Sequence, residues 1–206
     1  MFLYGTCFPA LMRQRGHSHY LHGSCLEKNG KAVLISGESG AGKSTLAAEL
    51  LEHGWRFMAD DVAFFSVEEN SILIIPSCPI QKLWDDAVEA LSDQDRERLI
   101  MSSVDGRVKY YVSVPENYSA VPAKLGIIVN LSRGEDFRFE MLSEEEKMPA
   151  VLADLMPSPK KGSPEAAPAE ALAGRIAACA AVCRAVRTET RADCANIRER
   201  IEGMLA

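Results

Sequence analysis

The chain has 206 residues, 47% of them hydrophobic and 25% charged; it is long enough to bury a substantial core, which excludes global disorder and makes one domain, residues 1–206, the expectation. Its formal charge of -6 excludes the uniform attraction to phosphodiester or anionic lipid that nucleic-acid and membrane-surface proteins show, so neither is expected as a partner. The apolar opening stretch lacks a preceding basic segment, is broken by Gly5 and Pro9 and is too short to span a bilayer. The six cysteines have no metal-ligand spacing and read as reduced thiols, which makes a cytoplasmic location the expectation.

Lys31-Ala-Val-Leu-Ile-Ser36 is a continuous apolar run, the form of a strand buried on both faces. It meets a glycine-rich turn, after which Lys43 to Glu52 places Leu46, Leu50 and Leu51 on one face of a helix that Gly54 stops. Trp55 to Ala59 alternates as a strand and delivers Asp60 and Asp61 at its carboxyl end. Strand, loop, helix, strand predicts an α/β fold with part of the sheet parallel, and ligands in such sheets collect at the carboxyl ends of strands.

Further strands are predicted at Ser71–Ile75, Val108–Val114, Leu125–Leu131 and Phe137–Met141, and short helices at Leu83–Leu91 and Asp93–Ile100. The number of strands points to a mixed β-sheet with flanking helices rather than a plain doubly wound fold. Ser143-Glu-Glu-Glu146 is a capping box opening a helix to about Met156. The Pro/Ser/Lys-rich stretch from 157 to 168 reads as a mobile loop. A helical region is expected from about 169 to 206, holding an Ala-rich helix, a strand at Val182–Arg187 that competes with continued helix, and a last helix from Arg191 to Leu205.

Gly37-Glu38-Ser39-Gly40-Ala41-Gly42-Lys43-Ser44, with Thr45 behind it, is the phosphate-binding loop pattern between a strand and a helix. Its backbone N–H groups converge, the helix dipole adds positive potential, Lys43 neutralises phosphate oxygens and the Ser44 hydroxyl suits Mg²⁺. The later strand where such proteins carry a magnesium-holding aspartate ends here in Asn130. Adjacent carboxylates at Asp60 and Asp61 leave a strand end in different directions. One of them, assigned to Asp60, can face the metal while the other faces an acceptor hydroxyl.

His22-Gly before the strand, Gly37 to Ser44, and Gly54-Trp-Arg-Phe-Met-Ala-Asp-Asp61 together resemble the catalytic domain of HPr kinase/phosphorylase, with His22 fifteen residues before Gly37 and Asp61 seventeen after Ser44. The resemblance implies a P-loop kinase core related to phosphoenolpyruvate carboxykinase. It also implies ATP and Mg²⁺ as cofactors, Asp61 as the base that takes the acceptor proton, His22 beside it, Lys43 as phosphate ligand and Ser44 as magnesium ligand. The family's Leu-Glu-Ile-Arg-Gly segment has no match, which puts phosphorylase action and HPr as substrate in doubt. A closer likeness is to compact HPr-kinase-like proteins of peptide-modification clusters, carried by Leu21-His22, Gly37 to Ala47, Pro76 to Trp84 and Lys109-Tyr-Tyr-Val112. The family forms oligomers, which leaves a homo-oligomer open.

The expected activity is transfer of the ATP γ-phosphoryl to a serine hydroxyl of a protein or peptide. A small-molecule hydroxyl kinase and a nucleotide-binding module without transfer are the alternatives. Lys109, Lys82, Trp84, Lys160 and Lys161 are weaker candidates for contacts with phosphate or acceptor.

Overall fold

The computed structural model describes residues 7–84, 98–102, 108–160 and 162–205. A short helix, α1 (Phe8–Gln14), leads into two strands that the sequence pattern did not reveal, β1 (Tyr20–Leu21) and β2 (Ser24–Lys28). β2 returns antiparallel into β3 (Lys31–Ser36) through Asn29-Gly30, both at positive φ. Two consecutive left-handed residues match the twist of the flanking strands, and Asn-Gly is the pair that adopts them at least cost.

β3 is buried on both faces as its composition predicts, with Ala32 and Leu34 entering one core and Val33 and Ile35 the other. The glycine loop follows, then α2 (Lys43–Glu52) and β4 (Arg56–Ala59), which pairs antiparallel with the free side of β2. β5 (Ala63–Val67) and β6 (Ile72–Ile74) form a hairpin, and β7 (Ile80–Trp84), β8 (Arg98–Ser102) and β9 (Val108–Ser113) make a separate antiparallel sheet in the order β7-β9-β8. The helices expected at Leu83–Leu91 and Asp93–Ile100 are corrected where they are described: Leu83 and Trp84 belong to β7 and Arg98–Ile100 to β8, because pairing with β9 outweighs a short helical periodicity. Residues 85–97 lie outside the described residues.

β10 (Ala123–Arg133) is the spine of the main sheet. β3 lies parallel along one edge, while β6 and the later strand β13 (Ala181–Arg187) share the other edge in succession. A register shift at Gly126 lets Leu125 and Ile128 face one core and Ile127, Val129 and Leu131 the other. β11 (Arg138–Met141) flanks β13. α3 (Glu144–Asp154) is opened by the predicted capping box, in which the Glu146 carboxylate accepts from Ser143 N–H at 3.0 Å and from its hydroxyl at 2.9 Å. β12 (Leu155–Met156), α4 (Ala166–Cys179) and α5 (Arg191–Leu205) complete the described elements. The expected loop therefore ends at 165 rather than 168, and the expected C-terminal helical region contains the strand that competed with continued helix, since β13 pairs with β10 on one side and β11 on the other.

The architecture is the expected mixed α/β fold. α3 and α4 cover one face of the sheet, with Val151, Ala169, Ala173 and Ile176 in its core, and α2 and α5 cover the other, with Leu46, Leu50, Ile197 and Ile201. All six cysteines are free thiols. Among the described residues no helix is long and apolar enough to cross a membrane.

Candidate active site

β2 runs antiparallel to both β3 and β4, so those two strands point the same way, and β10 and β13 run parallel to β3. The glycine loop, Asp60, Asp61, Asn130 and Arg187 therefore gather at one end of the sheet, together with His22 and Ser24 at the start of β2. This is where open α/β sheets place their ligands.

The loop leaves β3 through Gly37 (φ +135), and a Cβ there would strike the Leu131 carbonyl of the neighbouring strand. Gly42 (φ +96) is the left-handed N-cap of α2. Glu38, Ser39 and Gly40 are exposed, while Gly42 through Thr45 are partly buried. The Lys43 ammonium donates to the carbonyls of Gly37 at 2.6 Å and Glu38 at 3.0 Å, folding over the mouth of the loop. Phosphate oxygens placed in the loop would compete for those same donors.

The two aspartates leave β4 through a tight turn. Val62 N–H donates to the Asp60 carbonyl at 2.7 Å, and Asp61 sits at the centre with φ +62. A positive φ at a non-glycine residue is costly, tolerated best by Asn and Asp, and clusters at functional sites. Three residues from two stretches of the chain hold the turn in place. His22 Nδ1 meets the Asp61 carbonyl at 3.0 Å, Lys82 Nζ donates to Asp61 Oδ2 at 2.8 Å, and the Lys82 N–H donates to Asp60 Oδ2 at 2.7 Å. Ser24 Oγ donates to Asp60 Oδ1 at 2.5 Å. His22 reaches its place because Gly23 follows it: a Cβ on Gly23 would collide with the Ile35 carbonyl.

Burial, and next the neighbouring Asp61 charge, push the Asp60 carboxyl up to about 6, against the opposing hydrogen bonds from Ser24 and Lys82. Burial pulls Lys82 down, but the Asp61 and Asp60 carboxylates outweigh it and leave its ammonium above the ordinary value. Asp61 and Lys82 thus face each other as a partly buried ion pair.

A third carboxylate escaped the sequence reading. Asp154, the last residue of α3, accepts from Asn130 Nδ2 at 3.0 Å, and Asn130 also donates to Ser36 Oγ at 2.5 Å. The Asp154 carbonyl accepts the His22 N–H at 2.8 Å. Burial raises its carboxyl, while Ser36, Asn130 and the nearby His22 and Lys43 charges oppose that shift. The strand position that ends in Asn130 therefore receives a carboxylate from a helix instead.

Mg²⁺ takes hard oxygen donors, commonly one or two carboxylates with substrate phosphates. The Ser44 hydroxyl and the carboxylates of Asp60 and Asp154 are of that kind, and each Asp60 oxygen keeps a lone pair beyond the hydrogen bond it accepts. By type these donors suit the metal, while among the described residues no group of three or more His, Cys, Asp or Glu lies together to hold one. Of the weaker candidates, Lys82 joins the site, Lys109 lies on β9 opposite Trp84 and Met101, and Lys160 is exposed. Lys161 and the side chains of Trp84 and Lys109 lie outside the described residues. Lys82 stood inside a stretch already singled out and Ser24 lies two residues after His22; only the placement of β7 and β2 beside the Asp60-Asp61 turn gives them partners.

Residues 13–84 match the family model for the HPr Serine kinase C-terminal domain. Over this segment the chain is similar to the HPr kinases. The HPr kinase/phosphorylase of Malacoplasma penetrans (strain HF-2) is 41% identical over 63 residues, 31% of this chain and 21% of that protein. That of Treponema pallidum (strain Nichols) is 48% identical over 54 residues, 26% of this chain and 17% of that protein. The match thus spans about a fifth of those relatives' length. The solved structure of the Hpr(Ser) kinase/phosphatase from Coxiella burnetii overlays with a TM-score of 0.41 at 14% identity, covering 89% of this chain and 98% of that chain. That overlay is too loose to carry any argument, and the similarity rests on the matched segment. The HPr kinase-like segment contains His22, the glycine loop, Asp60, Asp61 and Lys82, and it stops short of Asn130, Asp154 and Arg187.

Proposed function

We propose that the chain is an ATP- and Mg²⁺-dependent kinase of the HPr-kinase type, acting as one catalytic unit in the cytosol and transferring the γ-phosphoryl of ATP to a serine hydroxyl of a protein or peptide. The observation that carries the proposal is the turn at Asp61, whose strained backbone is held by His22 and whose carboxylate is held by Lys82 at the sheet end that carries the glycine loop. A module that only bound nucleotide would need the loop, but would gain nothing from ordering a carboxylate in a costly conformation beside it.

In this reading the acceptor oxygen attacks the γ-phosphorus as its proton passes to the Asp61 carboxylate, and the bond to the β-phosphate oxygen breaks, leaving ADP. Lys43 and the loop N–H groups hold the phosphate oxygens, His22 orients the Asp61 backbone, and Ser44, Asp60 and Asp154 would hold Mg²⁺, which would supply neutralisation of the phosphate charge.

The test pairs two variants in assays with labelled ATP and serine-containing proteins or peptides encoded beside the gene. Asp61→Asn is expected to keep ATP affinity while transfer collapses, whereas Lys43→Ala weakens both. Transfer at the wild-type rate by Asp61→Asn would remove the base assignment, and label appearing only as free phosphate would point to ATP hydrolysis instead.

A further inference from the structure

Arg187 ends β13 at the same end of the sheet, on the side of the loop away from Asp61. It points into the α2/α5 face with Cys183 and Ala185 and is only 3% exposed. Its Nη2 donates to the Thr190 carbonyl at 3.4 Å, while Nε and Nη1 have no hydrogen-bond partner among the described residues. The Asp193 carboxylate lies near enough to feel its charge, but is bonded to Thr188, through N–H at 2.7 Å and Oγ at 2.6 Å.

The position of the unpaired end is informative. Nη1 occupies the space that a Cβ on Gly42 would need, directly at the N-terminus of α2. A helix N-terminus is already electropositive, and a buried cation with idle donors is costly unless an anion answers it. Guanidinium and helix end together present convergent donors with no side chain at position 42 to close the path between them.

The order of strands gives this anion site a direction. Across the sheet, β4, β2, β3, β10 and β13 are successive neighbours, so Asp61 lies two strands to one side of the loop strand and Arg187 two strands to the other. We infer that Arg187 is a phosphate ligand at the nucleoside end of the bound nucleotide, taking an α-phosphate oxygen, so that the triphosphate lies across the loop with its γ-phosphorus toward Asp61. The inference rests on the kinase reading and adds to it the orientation of the substrate.

Calorimetric titration of ATP and ADP into wild type, Arg187→Met and Arg187→Lys, with steady-state transfer in parallel, tests it. Because hydrogen bonds between charged groups contribute about 1.5–3 kcal/mol, Arg187→Met should weaken ATP and ADP by the same factor of about 10–100. KM for ATP should rise alike, with kcat at saturating ATP within about threefold of wild type. Arg187→Lys keeps the charge and loses the planar fork, so it should recover part of the affinity; it also serves if the methionine variant does not fold. Unchanged ATP and ADP affinities in a folded variant overturn the assignment, and a loss confined to ATP overturns the orientation. A wild-type chain that binds neither nucleotide overturns the kinase reading and this inference with it. Wild-type binding joined to unaffected variants overturns this inference alone.

Discussion

The glycine loop and the aspartate turn face each other across the site and are built in opposite ways. Residues 37 to 45 are consecutive, and their conformation follows from glycines at φ +135, +87 and +96 and from a helix that starts at Lys43. The turn at Asp60-Asp61 takes its partners from residues 22, 24 and 82, and the nearby Asp154 comes from a helix more than ninety residues further on. A loop whose geometry is local grips phosphate wherever it is placed. A carboxylate held by distant segments keeps its place only in this fold, so in the proposed reaction it carries the specific chemistry.

Separating the two halves is the most direct way to break that comparison, and it has the largest expected effect. Loss of a positioned general base typically costs about 10²–10⁴ in rate, so Asp61→Asn should lose transfer by that order while titration calorimetry finds its ATP affinity within about twofold of wild type. An equal loss of both would mean that loop and turn act as one phosphate grip.

The halves should also differ in how stability responds to pH. The Asp60 carboxyl, ordinarily 3.8, is pushed up to about 6 in the folded chain. Between about pH 4 and 6 the folded state therefore holds more protons than the unfolded state, so stability falls as pH rises through that window and the cost is fully present above it. A shift of about two units corresponds to a penalty on the order of 3 kcal/mol. Thermal denaturation should show the wild type losing about that much stability as pH rises from about 4 to 6, and Asp60→Asn should flatten the loss. An unchanged pH dependence in Asp60→Asn would mean that the carboxyl is ionised in folded and unfolded chain alike.

Gly23→Ala probes the joint between the halves, because the added methyl meets the Ile35 carbonyl in the very strand that feeds the loop. Overpacking of this kind costs about 1–3 kcal/mol. It should also move His22 off the Asp61 carbonyl, so the melting temperature and the transfer rate are expected to fall together. A drop in stability with transfer intact would show that His22 is not needed to hold the turn.

The same division explains what the sequence disclosed. β3, α2, β9 and the capping box of α3 could be read because each is set by local pattern: two-sided burial, helical spacing, alternation, and a serine three residues before a glutamate. The helices expected at Leu83–Leu91 and Asp93–Ile100 are overturned only at Leu83–Trp84 and Arg98–Ile100, which are strand because β7 and β8 are held by pairing with β9, a contact that periodicity does not encode. β2 was missed although Asn29-Gly30 marks its hairpin, since no alternation is visible in a strand buried at four successive positions. Within the site, the loop and Asp60-Asp61 were legible from spacing. Asp154 was not, because nothing in its helix distinguishes it from any other terminal aspartate until Asn130 and Ser36 are brought beside it.

Lys82 carries the smallest expected effect and the finest distinction. Its ammonium reaches Asp61 at 2.8 Å with side-chain exposures of 16% and 32%, too enclosed to be an ordinary surface pair, yet its backbone N–H separately holds Asp60. Lys82→Met keeps the backbone bond and the buried stem and removes only the charge, so Asp60 should stay in place while Asp61 loses its orienting partner. Transfer is expected to fall about tenfold, equivalent to about 1.4 kcal/mol, with ATP affinity unchanged. If ATP affinity fell by the same factor, the ammonium would be a ligand of nucleotide phosphate, and the aspartate turn would contribute to the grip as well as to the transfer.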